Sequence, residues 1–437
     1  MTILKKNLFS FLLLPAFRHP QPRFQSLWNY TQIGLMIFSL LPFLGAVSLS
    51  LGVLKTWHRH YRTMISRPVN WGLAVYSLLL IISTIFAHDP VLSLGGIPLL
   101  LPFFIVFAAQ SELIQTTAQL RQLAWIIVST SVPVIIFGLG QHFLGWGFHF
   151  QLLWILVDWE VEKGGNPLGR MSSTFLYANP LAAYLVIIFI LSLGLWIETY
   201  QERHSSSVSP LPLIFLTLVV SSSFAALILT DSRNAWGIAL IACLAYALIQ
   251  GWRLIVAGVM SVATIILSAA YAPAPVNQWL RNIVPAFFWA RLTDQLYPDR
   301  PIATLRKTQW EFAWSLTQQR PWTGWGLRNF TPLYLAKTGV WLGHPHNLYL
   351  MLASETGIPA TLLFCSLIGW VVFQGFRLLP RLGKDRLIFF SYLVAFLACA
   401  VFNTVDVTIF TLQVNMLVWL LLAGICGVVY SHKVVKD

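Results

Sequence analysis

The chain has 437 residues, 57% of them apolar and only 10% charged, with a mean hydropathy of +0.71. Ordinary soluble domains are near half apolar and a quarter charged, so this chain lacks the polar surface needed to dissolve. That excludes a secreted enzyme, a soluble nucleotide-binding fold and a disordered chain, and leaves a polytopic membrane protein. The formal charge is +13, but the basic residues are scattered between apolar runs rather than gathered in one patch, which argues against nucleic acid as a partner.

In chain order, Lys5 and Lys6 precede a short apolar run, Leu8 to Ala16. The residues that follow, Phe17-Arg18-His19-Pro20-Gln21-Pro22-Arg23, offer no small-residue cleavage site, so an uncleaved interfacial segment is expected rather than a signal peptide. Apolar runs of membrane-spanning length then lie near 31–53, 69–87, 93–110, 122–141, 176–195, 211–230, 236–250, 254–273, 357–379, 387–406 and 408–430. The expected fold is all-α: one integral membrane domain over 1–437 with 11–12 transmembrane helices, a large extracytoplasmic helical loop at 274–345 and a second outer loop at 142–175. The four cysteines, Cys243, Cys365, Cys399 and Cys426, sit inside apolar runs with no ligand-pair spacing and read as small buried hydrophobes.

Orientation follows from Lys and Arg in the short loops. One set carries Lys55, Arg59, Arg62, Arg67, Arg121, Arg203, Arg253, Arg377, Arg381, Lys384, Arg386, Lys433 and Lys436, whereas the short loops of the alternate set carry only Arg233. The first set therefore faces the cytoplasm, and both long loops and the 231–235 turn face outward. Lys5, Lys6, Arg18 and Arg23 should also be inside, which a single span at 31–53 forbids. Pro42 stands mid-run, so residues 25–57 are expected to form two short tilted spans, giving twelve passes with both ends inside.

Ionisable groups at membrane depth are costly and are functional candidates by default. The turn Thr230-Asp231-Ser232-Arg233-Asn234-Ala235-Trp236 joins two apolar spans. A solvated hairpin is the bland reading. An arginine fork that grips phosphate oxygens is the functional one, and the isolation of this cation favours it. The stretch His344-Pro345-His346-Asn347-Leu348-Tyr349-Leu350, running on to Glu355-Thr356-Gly357, reads as a helix begun by Pro345 and interrupted at Gly357. Leu348, Met351, Leu352 and Glu355 would share one face, and His346, Leu350 and Ala353 another. The bland reading is an interfacial helix with histidines at headgroup level; the functional one is an imidazole able to take a proton from a hydroxyl. A His-x-His pair is also a weak metal hint, but no cysteine or acidic residue stands near it in sequence, so no metal is expected.

The 274–345 loop holds seven of the nineteen tryptophans, including Trp310, Trp322, Trp325 and Trp341. The bland reading is an interfacial aromatic belt; the functional one is a basic, aromatic lid for a ligand with an anionic head and stackable sugar faces, and the two are compatible. Residues 301–320 read as a helix ended by Pro321, with Arg306, Trp310 and Ala313 on one face, followed by Pro321-Trp322-Thr323-Gly324-Trp325-Gly326 and Arg328-Asn329-Phe330.

At these motifs the sequence resembles the O-antigen ligase and Wzy polymerase superfamily of bacterial envelope glycosyltransferases. Four blocks carry the resemblance in the family's order: Arg170-Met171-Ser172-Ser173-Thr174-Phe175 with Asn179-Pro180-Leu181-Ala182-Ala183-Tyr184; Ser232-Arg233-x-x-Trp236; Arg306…Trp310…Ala313…Arg320-Pro321-Trp322-x-Gly324-x-Gly326…Phe330; and His346-Asn347-x-Tyr349-Leu350…Glu355-x-Gly357. One departure is Asn234, where the family usually has glycine. The resemblance implies transfer of a glycan from an undecaprenyl-diphosphate carrier to an acceptor hydroxyl on a glycolipid or glycan, with no cofactor, metal or nucleotide, at the outer face of the membrane. It implies that Arg233 and Arg306 serve the donor diphosphate and that His346 activates the acceptor, with Ser232, Asn347, Glu355, Arg328, Asn179 and Arg170 in support.

The chemistry agrees with those residue types. A departing lipid diphosphate needs fixed cations, and an acceptor hydroxyl needs a base that titrates near neutrality. A ligase acting on lipopolysaccharide-type acceptors is the leading reading, and a polymerase with the same donor is the second. A transporter of bicarbonate or another small anion is the different-class alternative, since cyanobacterial relatives labelled so look similar in the third block and the Asn-Pro block. Those relatives lack the His-Asn pair, and the ionisable residues here gather at span ends rather than at mid-membrane, where a transporter would place them. Asp406, beside Asn403 and Thr404 at the outer end of the 387–406 span, is expected either near the mouth of the cavity, orienting an arginine, or as a solvated helix end.

Overall fold

The computed structural model describes residues 18–152, 157–203, 209–293 and 301–434. Lys5, Lys6, the Leu8 to Ala16 run and Lys436 lie outside these residues. Among the described residues nine helices are long and apolar enough to cross a membrane: Pro68–Ile85, Pro90–Leu113, Thr117–Phe143, Ala178–Glu202, Leu211–Leu229, Arg253–Tyr271, Ile358–Arg381, Gly383–Phe402 and Leu412–His432. Arg233–Ile249 is a shorter apolar helix between two of them.

Residues 25–65 form a helical hairpin, Gln25–Phe38 and Pro42–Ile65, with the break where Pro42 occupies the first turn of the second helix. Gly34 and Gly45 let the two backbones touch: a Cβ on Gly34 would meet Leu49 Cγ at 2.8 Å, and one on Gly45 would meet Phe38 Cα at 2.7 Å. The hairpin returns the chain to the end from which it came, and its two helices stand beside the nine long apolar helices and Arg233–Ile249 of the described residues. At 14 residues, Gln25–Phe38 rises only about 21 Å, short of the roughly 30 Å hydrocarbon core.

The centre of the bundle is Ala178–Glu202 and Leu412–Val434, apolar on all sides and buried along most of their length. Ala178–Glu202 packs against Leu211–Leu229 and Arg386–Phe402, and Leu412–Val434 packs against Leu101–Leu113. Arg253–Tyr271 leans on the rim. All four thiols are free, with Cys399 and Cys426 buried.

Two local features depart from the sequence reading. Residues 142–175 include an antiparallel pair of strands, Phe148–Leu152 and Val157–Val161, in an otherwise helical fold. The helix expected from Pro345 starts instead at Leu348, where the Asn347 side chain accepts from Leu350 N at 3.0 Å as an N-cap. His346 therefore lies before the helix and shares no helical face with Leu350 and Ala353. The opposite face is as expected, with Leu348, Met351, Leu352 and Glu355 all buried. Gly357, at φ 86, separates Leu348–Thr356 from Ile358–Leu378.

At one end of the bundle the basic short loops are tied by ion pairs. Arg67 pairs with Glu112, and Arg121 grips Glu198 with two 2.8 Å bonds and Asp385 with one of 2.9 Å. The other end carries the strand pair, the 230–235 turn and the segments 272–293 and 301–357.

Candidate functional site

At this second end a line of hydrogen bonds joins residues far apart in sequence. The Arg170 guanidinium donates through Nε to the carbonyl of Thr230 (2.8 Å) and through Nη2 to Asn179 Oδ1 (2.7 Å). The Asn179 amide donates to Asp406 Oδ2 (2.7 Å), and the other carboxylate oxygen lies 3.3 Å from His346 Nδ1. Thus the 170–184 block, the 230–235 turn, the His346 turn and the 403–411 segment meet in one place. The turn is anchored a second time, because the Asn234 amide donates to the carbonyl of Phe402 (3.2 Å). Ser232 is buried at the N-cap of Arg233–Ile249, and Arg233 opens that helix.

Asp406 is 6% exposed, which corrects the solvated helix end considered for it; it orients an arginine at one remove, through Asn179. Burial works against its charge. The hydrogen bond with His346, the charges of His346 and His344, and the backbone N–H of Val407 together outweigh that and hold the carboxyl below its ordinary range. His344 stands beside it, with Nε2 3.9 Å from Asp406 Oδ1 and its ring 4.5 Å from that of His346. Burial, and secondarily the neighbouring imidazole, push His344 down to about 4 against the pull of Asp406, so it is neutral at physiological pH. The expectation that no acidic group joins the His-x-His pair is corrected here. The fold supplies Asp406, sixty residues on.

A second cluster lies on the neighbouring segment. Glu355 is fully buried and accepts from the backbone N–H groups of Phe330 (3.2 Å) and Arg328, while its carbonyl accepts from Gly326 N and Ser83 Oγ, both at 2.8 Å. Trp325 N donates to Ser354 O and Ile358 N to Pro321 O, so the 321–326 turn is stitched to the 354–358 bend. Both surfaces need glycine: Gly324 and Gly357 have positive φ, and a Cβ on either would strike the opposing backbone. Burial raises the Glu355 carboxyl to about 7, partly offset by the two N–H donors and by Arg328. Glu355 is thus a staple for the turn and touches neither His346 nor Asp406.

Arg306 is exposed at the first turn of Arg306–Gln319, which packs along Leu348–Thr356. Among the described residues no hydrogen bond or ion pair joins Arg306 or Arg328 to the His346 group. Arg328 reaches toward Gly95 and Gly96 instead. Beneath the site an apolar cavity of about 280 Å³ runs between helices, lined by Leu348, Tyr349, Phe364, Trp419, Asn403 and Thr408 among others.

Four non-glycine residues adopt positive φ among those described: Ser173 (54°), Asp231 (49°), Arg328 (65°) and His346 (50°). Each lies in or beside a different one of the four motif blocks. Such conformations are costly and persist where the surroundings over-determine them, commonly at functional sites. Sequence reasoning missed Gln141, whose Oε1 accepts from Ser172 N (3.0 Å) and Ser173 N (2.9 Å) to hold the first block in shape, and which carries no local spacing signal. His344 was legible as half of the His-x-His pair but not as a neighbour of Asp406.

Residues 218–365, 148 of the 437, match the family model described as O-antigen ligase. The matched region includes Arg233, Arg306, Arg328, His346 and Glu355, and it supports the O-antigen ligase and Wzy superfamily read from the motif blocks. No curated protein and no solved structure matches the chain.

Proposed function

We propose that this membrane protein is a glycosyltransferase that moves a glycan from an undecaprenyl-diphosphate carrier to an acceptor hydroxyl, with the His346 end of the bundle facing the periplasm or cell exterior. The sidedness rests on the basic short loops, which gather at the opposite end and mark it as cytoplasmic. The observation that carries the reading is the hydrogen-bonded line from Arg170 through Asn179 and Asp406 to His346, set beside the helix that Arg233 opens; His346 and Arg233 lie within the O-antigen ligase match, and the fold brings the other three residues to them from outside it.

In this reading Asp406 accepts the Nδ1 hydrogen of His346 and leaves Nε2 as the lone-pair nitrogen. Nε2 takes the proton of the acceptor hydroxyl as its oxygen attacks the anomeric carbon. The bond from that carbon to the phosphate oxygen breaks, and the carrier leaves as its diphosphate. Arg233 and Arg306 are the cations placed to meet the departing charge. No metal or nucleotide takes part, and direct displacement inverts the anomeric centre without a covalent enzyme intermediate. Arg170, Asn179, Ser232 and Asn347 position these groups, while Glu355 and Arg328 shape the adjoining turn. A polymerase would use the same donor groups with a second lipid-linked glycan as acceptor. The 274–345 segment serves as an outer lid and 142–175 as a second outer loop of a single membrane domain.

The test is purified protein supplied with lipid-diphosphate-linked oligosaccharide and, separately, with a glycolipid acceptor or donor alone. Release of carrier diphosphate with a glycolipid product supports the ligase, and elongation of the donor alone supports the polymerase. Absence of both, with bicarbonate uptake in proteoliposomes, overturns the reading in favour of a transporter.

A further inference from the structure

His344 Nε2, His346 Nδ1 and Asp406 Oδ1 converge at the site, with the candidate ligand atoms of the three residues all within 4.8 Å of one another. His346 Nδ1 to Asp406 Oδ1 is 3.3 Å and His344 Nε2 to Asp406 Oδ1 is 3.9 Å. Two ligands 2.0–2.1 Å from a tetrahedral zinc ion stand roughly 3.3–3.4 Å apart, so the first edge already fits and the second closes with a small turn of the His344 ring. The surroundings suit a metal as well. Asp406 Oδ2 is taken by the Asn179 amide, which leaves Oδ1 forward and fixes the carboxylate from behind, as outer-sphere partners do. Two imidazoles and one carboxylate select a borderline divalent ion of the zinc, cobalt or nickel class over magnesium or calcium.

We propose that His344, His346 and Asp406 form an inhibitory binding site for a divalent transition-metal ion of the zinc class. The inhibitory part rests on the role given to His346 above; the binding does not. The logic is one of lone pairs. A neutral imidazole has a single basic nitrogen. When the ion binds Nδ1, the ring's single N–H hydrogen moves from Nδ1 to Nε2 by exchange with solvent, and Nε2 can no longer accept one from an acceptor hydroxyl. Metal binding and general-base action are therefore mutually exclusive states of the same ring, and the fourth coordination position, open to the half-buried site, is left to water.

The experiment uses tag-free full-length protein in detergent, titrated with Co2+ as the visible probe and then displaced with Zn2+. One ion per chain is expected, with the intense visible bands of a tetrahedral cobalt site. Asp406→Asn and His344→Phe should each weaken binding by at least about tenfold; His344→Phe keeps the ring stacked on Phe410, 5.6 Å away, and His344→Gln serves if that variant is unstable. Zn2+ should inhibit transfer in the parent and at least about tenfold less strongly in the His344 variants, each measured against its own metal-free rate. No binding, or equal binding by parent and variants, overturns the site. Binding without inhibition overturns the inhibitory role and counts against His346 as base. Absence of transfer in metal-free protein would overturn the functional reading while leaving the cobalt spectrum to decide the site.

Discussion

Where Arg121 stands, a guanidinium closes on two carboxylates, Glu198 and Asp385, and Arg67 closes on Glu112. Where Asp406 stands, the carboxylate is shared instead between an amide, a backbone N–H and an imidazole, and the guanidinium of Arg170 is two bonds away. Cation directly on anion is the arrangement that holds helices together; it spends its charges on each other. A carboxylate handed neutral donors keeps its charge and uses it to orient an imidazole. The comparison separates an end whose charges are spent on cohesion from an end whose buried carboxylate is left to orient polar side chains, although both bury acidic groups among helices.

The largest expected effect that would break this distinction is at the imidazole. His346→Ala should lower transfer by about 10²- to 10⁴-fold, the usual contribution of a positioned base, while donor affinity measured by equilibrium binding stays unchanged. Loss of donor binding with residual transfer would reverse the roles. Next, Arg233→Ala should weaken donor binding together with turnover, by roughly 1.5–3 kcal/mol for one charge-assisted contact, because the diphosphate is held in ground and transition states alike. Arg233→Lys should recover little, since an ammonium keeps the charge without the fork.

At the cohesive end the prediction is inverted. Arg121→Ala should leave transfer per folded molecule intact and lower stability by about 2–3 kcal/mol, short of the roughly 3–5 of a fully buried broken pair because its side chain is 27% exposed. Thermal unfolding beside specific activity reads both. The smallest effect concerns Glu355. Its carboxyl is raised from 4.5 to about 7 in the folded protein, so its favourable contribution is complete below about pH 4.5 and is lost as pH rises through about 7. Glu355→Gln removes that step, and the melting temperature of the variant relative to the parent should rise between pH 5 and pH 8. A constant difference would show that the staple stays ionised.

How much of this was legible in the sequence depends on the range of the interaction. The apolar helices and the sharing of the short loops between two ends were readable, because a run of some twenty apolar residues and a bias of basic loops are local signals. The buried face of Leu348, Met351, Leu352 and Glu355 followed from helical spacing. The strands at 148–161 did not, since five residues of alternation are too few to stand out in an apolar chain. The start at Leu348 was misplaced by weighting Pro345 as a first-turn residue over the Asn347 cap. The pairing of Asp406 with His346, and with Asn179 at a separation of 227 residues, follows from tertiary packing alone, and no spacing rule encodes it. The same holds for the parting of Glu355 and Arg328 from the His346 group, which the resemblance had grouped as supporting residues of one site.

The hairpin at 25–65 has a consequence for how the chain tolerates change. Its two helices are joined by a three-residue break and packed glycine to backbone, so they enter and leave the bundle as a pair. A pair preserves parity. Removing or duplicating the whole hairpin leaves every later helix running in its original direction, whereas converting the break at Ser39–Leu41 into continuous helix changes the count by one and inverts everything downstream. The orientation of His346, three hundred residues away, is thus hostage to whether one turn beside Pro42 stays open.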